Sequence, residues 1–282
     1  MEHCAESQGQ KVTAKKAGLL LPVFAIASNT FKEVSRDKVV YTFFVFAVII
    51  SFFGLALGSL SVGQDLRIIL DLGMFGISTI GGIIAVFAGA NLVYKELEKK
   101  TCYLIFTKPV RPWQFILGKY LGLALCLLVL IAAMAVFLTL TVYIADPGQL
   151  LVFKERVLFI GASLLLTYLE LLLIIAAAEF FSTFSSPIMS VVFTIAFWFI
   201  GHSTASLQDL SKLFTNSALQ QLANFLYWTL PDLKTLTQTR SAIMYGQFPN
   251  SELSIYLTAY LVSYVIILLV LSAMVSEKRE LP

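Results

Sequence analysis

The chain is poor in charge. Only 13% of its 282 residues are Asp, Glu, Lys or Arg, about half of what a soluble globular domain carries. Cysteine is scarce too. Cys4, Cys102 and Cys126 form no CxxC pair, so neither a disulfide framework nor a thiolate metal cluster is indicated. With only His3 and His202, a His-rich metal site is excluded as well. No HExxH and no pair of aspartates lies on an apolar run, which removes the usual groups of an intramembrane enzyme. A phosphate-binding loop is also missing. Gly118-Lys119 imitates its end, but Tyr120 stands where Ser or Thr is required, and Trp113 replaces the glycine five places earlier. The first 18 residues are polar, with no short apolar run and small-residue cleavage site after them, so no cleaved leader is expected. Residues 1–18 read as a disordered cytoplasmic tail.

Apolar residues are abundant instead. They make up 58% of the chain and are gathered into long runs parted by polar segments. A water-soluble protein of this size could not bury them all. A bilayer-spanning helix takes about 20 mostly apolar residues, and six runs qualify: 39–60, 68–93, 115–145, 157–181, 187–202 and 253–275. Their length and their lack of period-two alternation favour helices over barrel strands. The expected fold is therefore all-α: a polytopic membrane protein with six transmembrane helices, forming one domain over residues 19–282. The fifth run is short, and Pro187 suits its first turn, where the missing N–H does no harm. Residues 19–38 carry Leu20, Leu21, Phe24, Ala27 and Phe31 at helical spacing, then Lys32, Glu33, Arg36, Asp37 and Lys38. This is the pattern of an amphipathic helix lying in the membrane interface; the alternative is a frayed start of the first span.

Basic residues set the orientation. Segments 1–38, 94–119 and 276–282 hold 6, 6 and 2 of them, so 14 of the 20 Lys and Arg flank one side. Arg67, Lys154, Arg156, Lys212, Lys234 and Arg240 fall on the other. Both termini are expected in the cytoplasm. Residues 203–252 then form an outer segment. Leu207, Leu210, Phe214, Leu222, Phe225 and Leu226 recur at roughly helical spacing, Tyr227 and Trp228 suit an interfacial belt, and Pro231 and 246–249 mark breaks. One or two short helices that dip into the outer leaflet or lie on it are expected there. The basic residues lie beside apolar spans, which points away from nucleic acid.

The most informative stretch is 94–122, YKELEKKTCYLIFTKPVRPWQFILGKYLG. It is charged, then apolar and aromatic, then broken at Lys108-Pro109 and Arg111-Pro112 before the next span. It reads as a short amphipathic helix, a rigid turn and a re-entry, and such an element suits docking into a partner's groove. A basic juxtamembrane loop that only obeys the positive-inside rule is the competing reading.

Glu170 lies near the middle of the fourth run. A carboxylate there is costly unless paired, protonated or facing water, so it is a candidate for the translocation path; a structural carboxyl bonding a neighbouring helix is the alternative. Glu179, nine residues on, falls on roughly the opposite face and reads as structural, answering the basic 94–122 segment. Asp71 is placed at a helix start, where a cap is favourable. Gly54-x-x-x-Gly58 and Gly81-x-x-x-Ala85-x-x-x-Gly89 are small-residue faces for close helix packing, either within the chain or against a second copy. His202 is placed at an interface rather than on a metal.

The order Glu96-x-Glu98-Lys99-Lys100-Thr101, Lys108-Pro109-Val110 and Phe115-x-x-Gly118-Lys119-Tyr120-x-Gly122 resembles the second type of ABC transporter permease. The branch it looks most like holds the permease of nitrous-oxide-reductase maturation and the gliding-motility permeases. Phe31-Lys32-Glu33, the Phe180–Pro187 stretch and Ile200-Gly201-His202 agree, and the resemblance runs from about Leu19 onward. One departure is Pro112, where many relatives carry a basic residue. The resemblance implies that 94–114 is a cytoplasmic coupling helix between spans two and three, with Glu96, Glu98, Lys99, Lys100, Thr101, Pro109 and Arg111 transmitting an ATP cycle. It implies a separate ABC ATPase subunit that carries ATP and Mg, no cofactor on this chain, and a second permease copy or a related permease in a dimer set in membrane lipid. It also implies an exporter of a bacterial or archaeal cytoplasmic membrane. A secondary carrier or channel is the alternative; it predicts charges on several spans and helices broken at mid-membrane, and Glu170 alone is convincingly mid-span.

Overall fold

The computed structural model describes residues 21–58, 65–98, 112–145, 150–204, 221, 230–246 and 251–279. The described residues contain no strand and form eight helices. They are α1 (Leu21–Ser35), α2 (Lys38–Gly58), α3 (Asp65–Glu98), α4 (Pro112–Ala145), α5 (Leu150–Phe184), α6 (Pro187–His202), α7 (Leu233–Met244) and α8 (Ser251–Arg279). Among the described residues four segments are long and apolar enough to cross a membrane: Leu66–Asn91, Pro112–Ala145, Glu155–Phe184 and Ile255–Glu277. Two apolar helices are shorter, Phe44–Gly58 and Pro187–His202.

The helix ends follow from local chemistry. The backbone turns at Arg36 and Asp37, whose N–H groups donate to Glu33 and Val34 carbonyls. The amphipathic stretch is therefore a helix of its own and not the frayed start of the next. α6 opens with Pro187 behind an extended Ser186, where proline's missing N–H costs nothing. Asp232 caps α7 by accepting from the N–H groups of Lys234 and Thr235. Gly246 closes that helix at φ +79°, a left-handed position that glycine takes without a Cβ clash.

α3, α4 and α5 are longer than the apolar runs that announced them. At 1.5 Å per residue a 35-residue helix such as α5 extends about 52 Å, well beyond a hydrocarbon core of about 30 Å. α3 continues without a break through Val93 to Glu98. Lys95, Glu96 and Glu98, the first charged residues of the 94–122 stretch, thus stand on α3; Lys99 and Lys100 lie outside the described residues.

The core lies among α3, α4 and α5, with Ile77, Leu123, Leu127, Leu138, Leu171, Ile174 and Ile175 fully buried. Small residues let these helices approach. A Cβ on Gly81 would lie 2.7 Å from Leu171 Cδ1, and one on Gly89 would lie 2.7 Å from the Ala178 methyl. The Gly81–Gly89 face thus packs on α5 of the same chain, and Gly54 lies against Ile69 and Leu72 of α3. Large apolar side chains on the outside of α2, α6 and α8 are exposed, among them Phe46, Phe53, Ile188, Phe199, Ile266 and Met274.

α6 and α7 line up in series along α5. Phe193 and Phe197 of α6 meet Phe181 near the end of α5. α7 covers the preceding part: Leu233 and Leu236 pack with Leu166 and Leu173, and Ser163 donates to the Arg240 carbonyl at 3.1 Å. α7 therefore runs antiparallel to α5. It lies within the 203–252 segment; the apolar pattern from Leu207 to Leu226, on which short helices are expected, lies outside the described residues.

Candidate functional site

Two places on α5 gather charge. The first surrounds Glu170, which has no exposed surface. The Trp198 indole N–H donates to Oε1 at 3.2 Å, and His202 Nε2 lies 3.3 Å from the same oxygen. Arg240 of α7 reaches Oε2 at 3.4 Å and donates to the Thr167 hydroxyl at 3.3 Å. Glu170 is thus joined to both α6 and α7. Glycine makes the indole contact possible, because a Cβ on Gly82 would lie 2.5 Å from the Trp198 ring.

His202 Nδ1 lies 3.1 Å from the Trp198 carbonyl, which can only accept, so Nδ1 carries a hydrogen. Nε2 faces Glu170 and, at 3.4 Å, the Thr237 hydroxyl, whose own hydrogen goes to the Leu233 carbonyl. Both ring nitrogens therefore face acceptors.

α7 is fastened at both ends as well. Asp232 accepts from the hydroxyls of Thr204 at 2.9 Å and Thr235 at 2.6 Å, and its N–H donates to the Tyr260 hydroxyl. Burial alone would raise this carboxyl, but the hydrogen bonds from Thr235, Thr204 and the Lys234 N–H outweigh it and hold it below the usual range. At the other end the Tyr245 hydroxyl donates to Asp71, and the Arg67 guanidinium stacks 4.5 Å over the Tyr245 ring. Asp71 stands six residues inside α3, whose first residue is Asp65. The capping role expected of it is therefore corrected: it is a tie to α7, because the helix begins earlier than the apolar run.

The second place surrounds Glu179. It too has no exposed surface, yet neither of its oxygens has a hydrogen-bond partner among the described residues. Lys119, buried on α4 with its ammonium 4.8 Å above the Phe115 ring, supplies the opposing charge. Glu179 thus faces a lysine at the start of α4, inside the helix bundle. The glycines flanking that lysine have a packing role. A Cβ on Gly118 would lie 2.7 Å from Ile26, and one on Gly122 would lie 2.6 Å from the Ala27 carbonyl. They form the groove in which α1 rests, with Val23, Ala27, Thr30 and Val34 buried while Leu21 and Phe24 stay exposed.

Of the coupling residues, Glu96 and Glu98 stand on the last turn of α3. Lys99, Lys100, Thr101, Pro109 and Arg111 lie outside the described residues. Arg240 was missed as a site residue, having counted only toward the charge asymmetry. The signal was there in principle: a mid-span carboxylate needs a cation, and Arg240 sits in a Thr- and Ser-rich helical stretch, LKTLTQTRSAIM, that is too polar to face lipid.

Compared with known proteins, residues 5–279 match a family model described as ABC-2 family transporter protein. No curated protein matches the chain.

Proposed function

Because the chain belongs to the ABC-2 transporter family, we propose that it is the permease subunit of an ATP-driven exporter, paired with separate ABC ATPase subunits. The family match over nearly the whole chain carries this reading. Two sequence features support it. The chain has no phosphate loop of its own, so ATP and Mg would be held by the partner. The long helix α3 also runs into the charged start of the 94–114 segment, ending at Glu98, and a long helix of this kind suits transmission of motion.

On this reading α2 and α6 cross the membrane with the four longer helices, making six spans. α1 lies in the cytoplasmic interface, with Leu21 and Phe24 toward lipid. Both termini are cytoplasmic, and the membrane is the inner membrane of a bacterium or archaeon. The 95–122 motifs favour the branch of nitrous-oxide-reductase maturation and gliding-motility permeases. One chain offers one docking segment, so a pair of ATPases calls for two permeases, as a homodimer or with a related chain.

The test is co-expression with a stand-alone ATPase encoded in a neighbouring gene. The two should purify together. Glu96→Lys with Glu98→Lys should release the ATPase while leaving the permease in the membrane, since losing charged contacts costs about 2–5 kcal/mol. Transport by the permease with no ATPase bound overturns the reading.

A further inference from the structure

We propose that Glu170 is a positioning residue, the hub of a latch that holds α7 and the end of α6 against α5, and that it acts on the transport path through α7 and not by touching the substrate. The inference deepens the reading of the chain as a transport subunit, since only on that reading does α7 cover a path. Its basis is geometric. Both carboxylate oxygens are occupied from within the chain, Oε1 by Trp198 and His202 of α6 and Oε2 by Arg240 of α7. The side chain has no exposed surface left to offer a ligand.

α7 itself is built to be held by polar contacts. Leu233, Leu236 and Ile243 give it a narrow apolar seam. Along the rest of its length it is tied by Asp232 to Thr204, by Thr237 to His202, by Arg240 to Glu170 and Thr167, and by Tyr245 to Asp71. Of these ties the one at Glu170 is the most deeply buried, and breaking it takes the Arg240 guanidinium from a carboxyl group with no exposed surface. If α7 moves away, Arg240 leaves with it and Glu170 keeps only its contacts to Trp198 and His202, and removing one partner of a buried ion pair is strongly unfavourable. The position of α7 is thereby linked to the Glu170–Arg240 contact. A latch of this type also explains why α6 can stop at His202: the same carboxylate that anchors α7 receives the final turn of α6.

Thiol accessibility of α7 tests this without substrate or ATPase. Cys4, Cys102 and Cys126 are replaced, and a single cysteine is placed at Thr239, which is buried on α7. A control cysteine goes at Met134, buried in the α4 core. Purified protein in lipid nanodiscs is reacted with a polar maleimide. The Thr239 cysteine should react slowly in the parent and on the order of tenfold faster in Glu170→Gln and in Arg240→Gln, as expected when local opening becomes easier. The Met134 cysteine should stay slow in all of them. The reciprocal exchange, Glu170→Arg with Arg240→Glu, should bring the Thr239 rate back toward the parent. Equal Thr239 rates in the parent and in Arg240→Gln overturn the proposal. If the single variants also expose the Met134 cysteine, the exchange decides: a double variant that reacts as fast as the singles overturns it too. A chain that failed to bind an ATPase would sink the transport reading and leave these rates unaffected.

Discussion

Two regions of α5 solve the same problem in different ways. Around Glu170 the helices are held by hydrogen-bonding partners: an indole, an imidazole, a guanidinium and several hydroxyls converge on one carboxylate and on the helix that brings the guanidinium. Around Glu179 they are held by close approach. Gly89 meets Ala178, and Gly118 and Gly122 receive α1, while the carboxylate itself makes no hydrogen bond among the described residues. The first region is specified by a few costly polar contacts, which can be broken one at a time. The second is specified by shape, which tolerates chemical change but not added volume. Polar ties suit parts that move between discrete arrangements, and dense packing suits parts that do not.

The largest effect that would break this comparison is expected at Arg240. Arg240→Met removes the cation and leaves Glu170 buried, and should cost about 3–5 kcal/mol, measured as thermal unfolding of the detergent-solubilised chain. A loss below that of the packing variants would place the two regions on an equal footing. Next comes Gly122→Ala. Its new methyl would lie 2.6 Å from the Ala27 carbonyl, and overpacking of this kind costs about 1–3 kcal/mol. Gly161→Ala is its control: nothing lies within 4 Å of a Cβ there, so it should stabilise α5 by about 0.5–1 kcal/mol. Opposite signs in the same melting assay sharpen the claim that glycine is needed for space at 122 and not for flexibility.

A smaller effect is expected at the cap of α7. Asp232→Ala should cost about 1 kcal/mol and should raise the reactivity of a cysteine at Thr239 less than Arg240→Gln does. The reverse order would move the main tie from Glu170 to the cap. The smallest effect is expected where the shape argument is strongest. Lys119→Met with Glu179→Leu replaces both buried charges with apolar groups of similar size and should be close to neutral in the same melting assay. A large loss would mean that the Glu179 region depends on its charges after all.

Much of this could be read from the chain in order. Runs of apolar residues announced α2 to α6 and α8, because a span is a local property of about 20 residues. Pro187, Pro231 and Gly246 announced helix ends, because each restricts its own backbone. Glu170 stood out because a mid-span carboxylate is expensive wherever it sits. Other readings failed for reasons of the same physical kind. Asp71 was placed at a helix start because its apolar run begins nearby, yet helices outlast the apolar stretch once polar turns find partners. α3 runs on past the apolar run that ends at Val93, because charged residues of good helix propensity, as in Tyr94–Glu98, extend a helix as readily as they end one. Gly118-Lys119-Tyr120-x-Gly122 carried family resemblance, but its two glycines could be assigned to a groove for α1 only when α1 was seen in it.

The sequence alone determined that this is a helical membrane protein, which end of each helix is polar, and that Glu170 must be answered by something. Hydrophobicity and backbone restriction act over one to a few turns, so they are legible locally. Tertiary structure alone decided what answers it. Arg240 lies 70 residues away on a helix that sequence reading had assigned to an outer segment, and Trp198 and His202 come from a third helix. Which faces meet depends on the rotation and depth of three helices packed together, and that is set by volumes such as the space Gly82 leaves for the indole, not by any pattern along one of them.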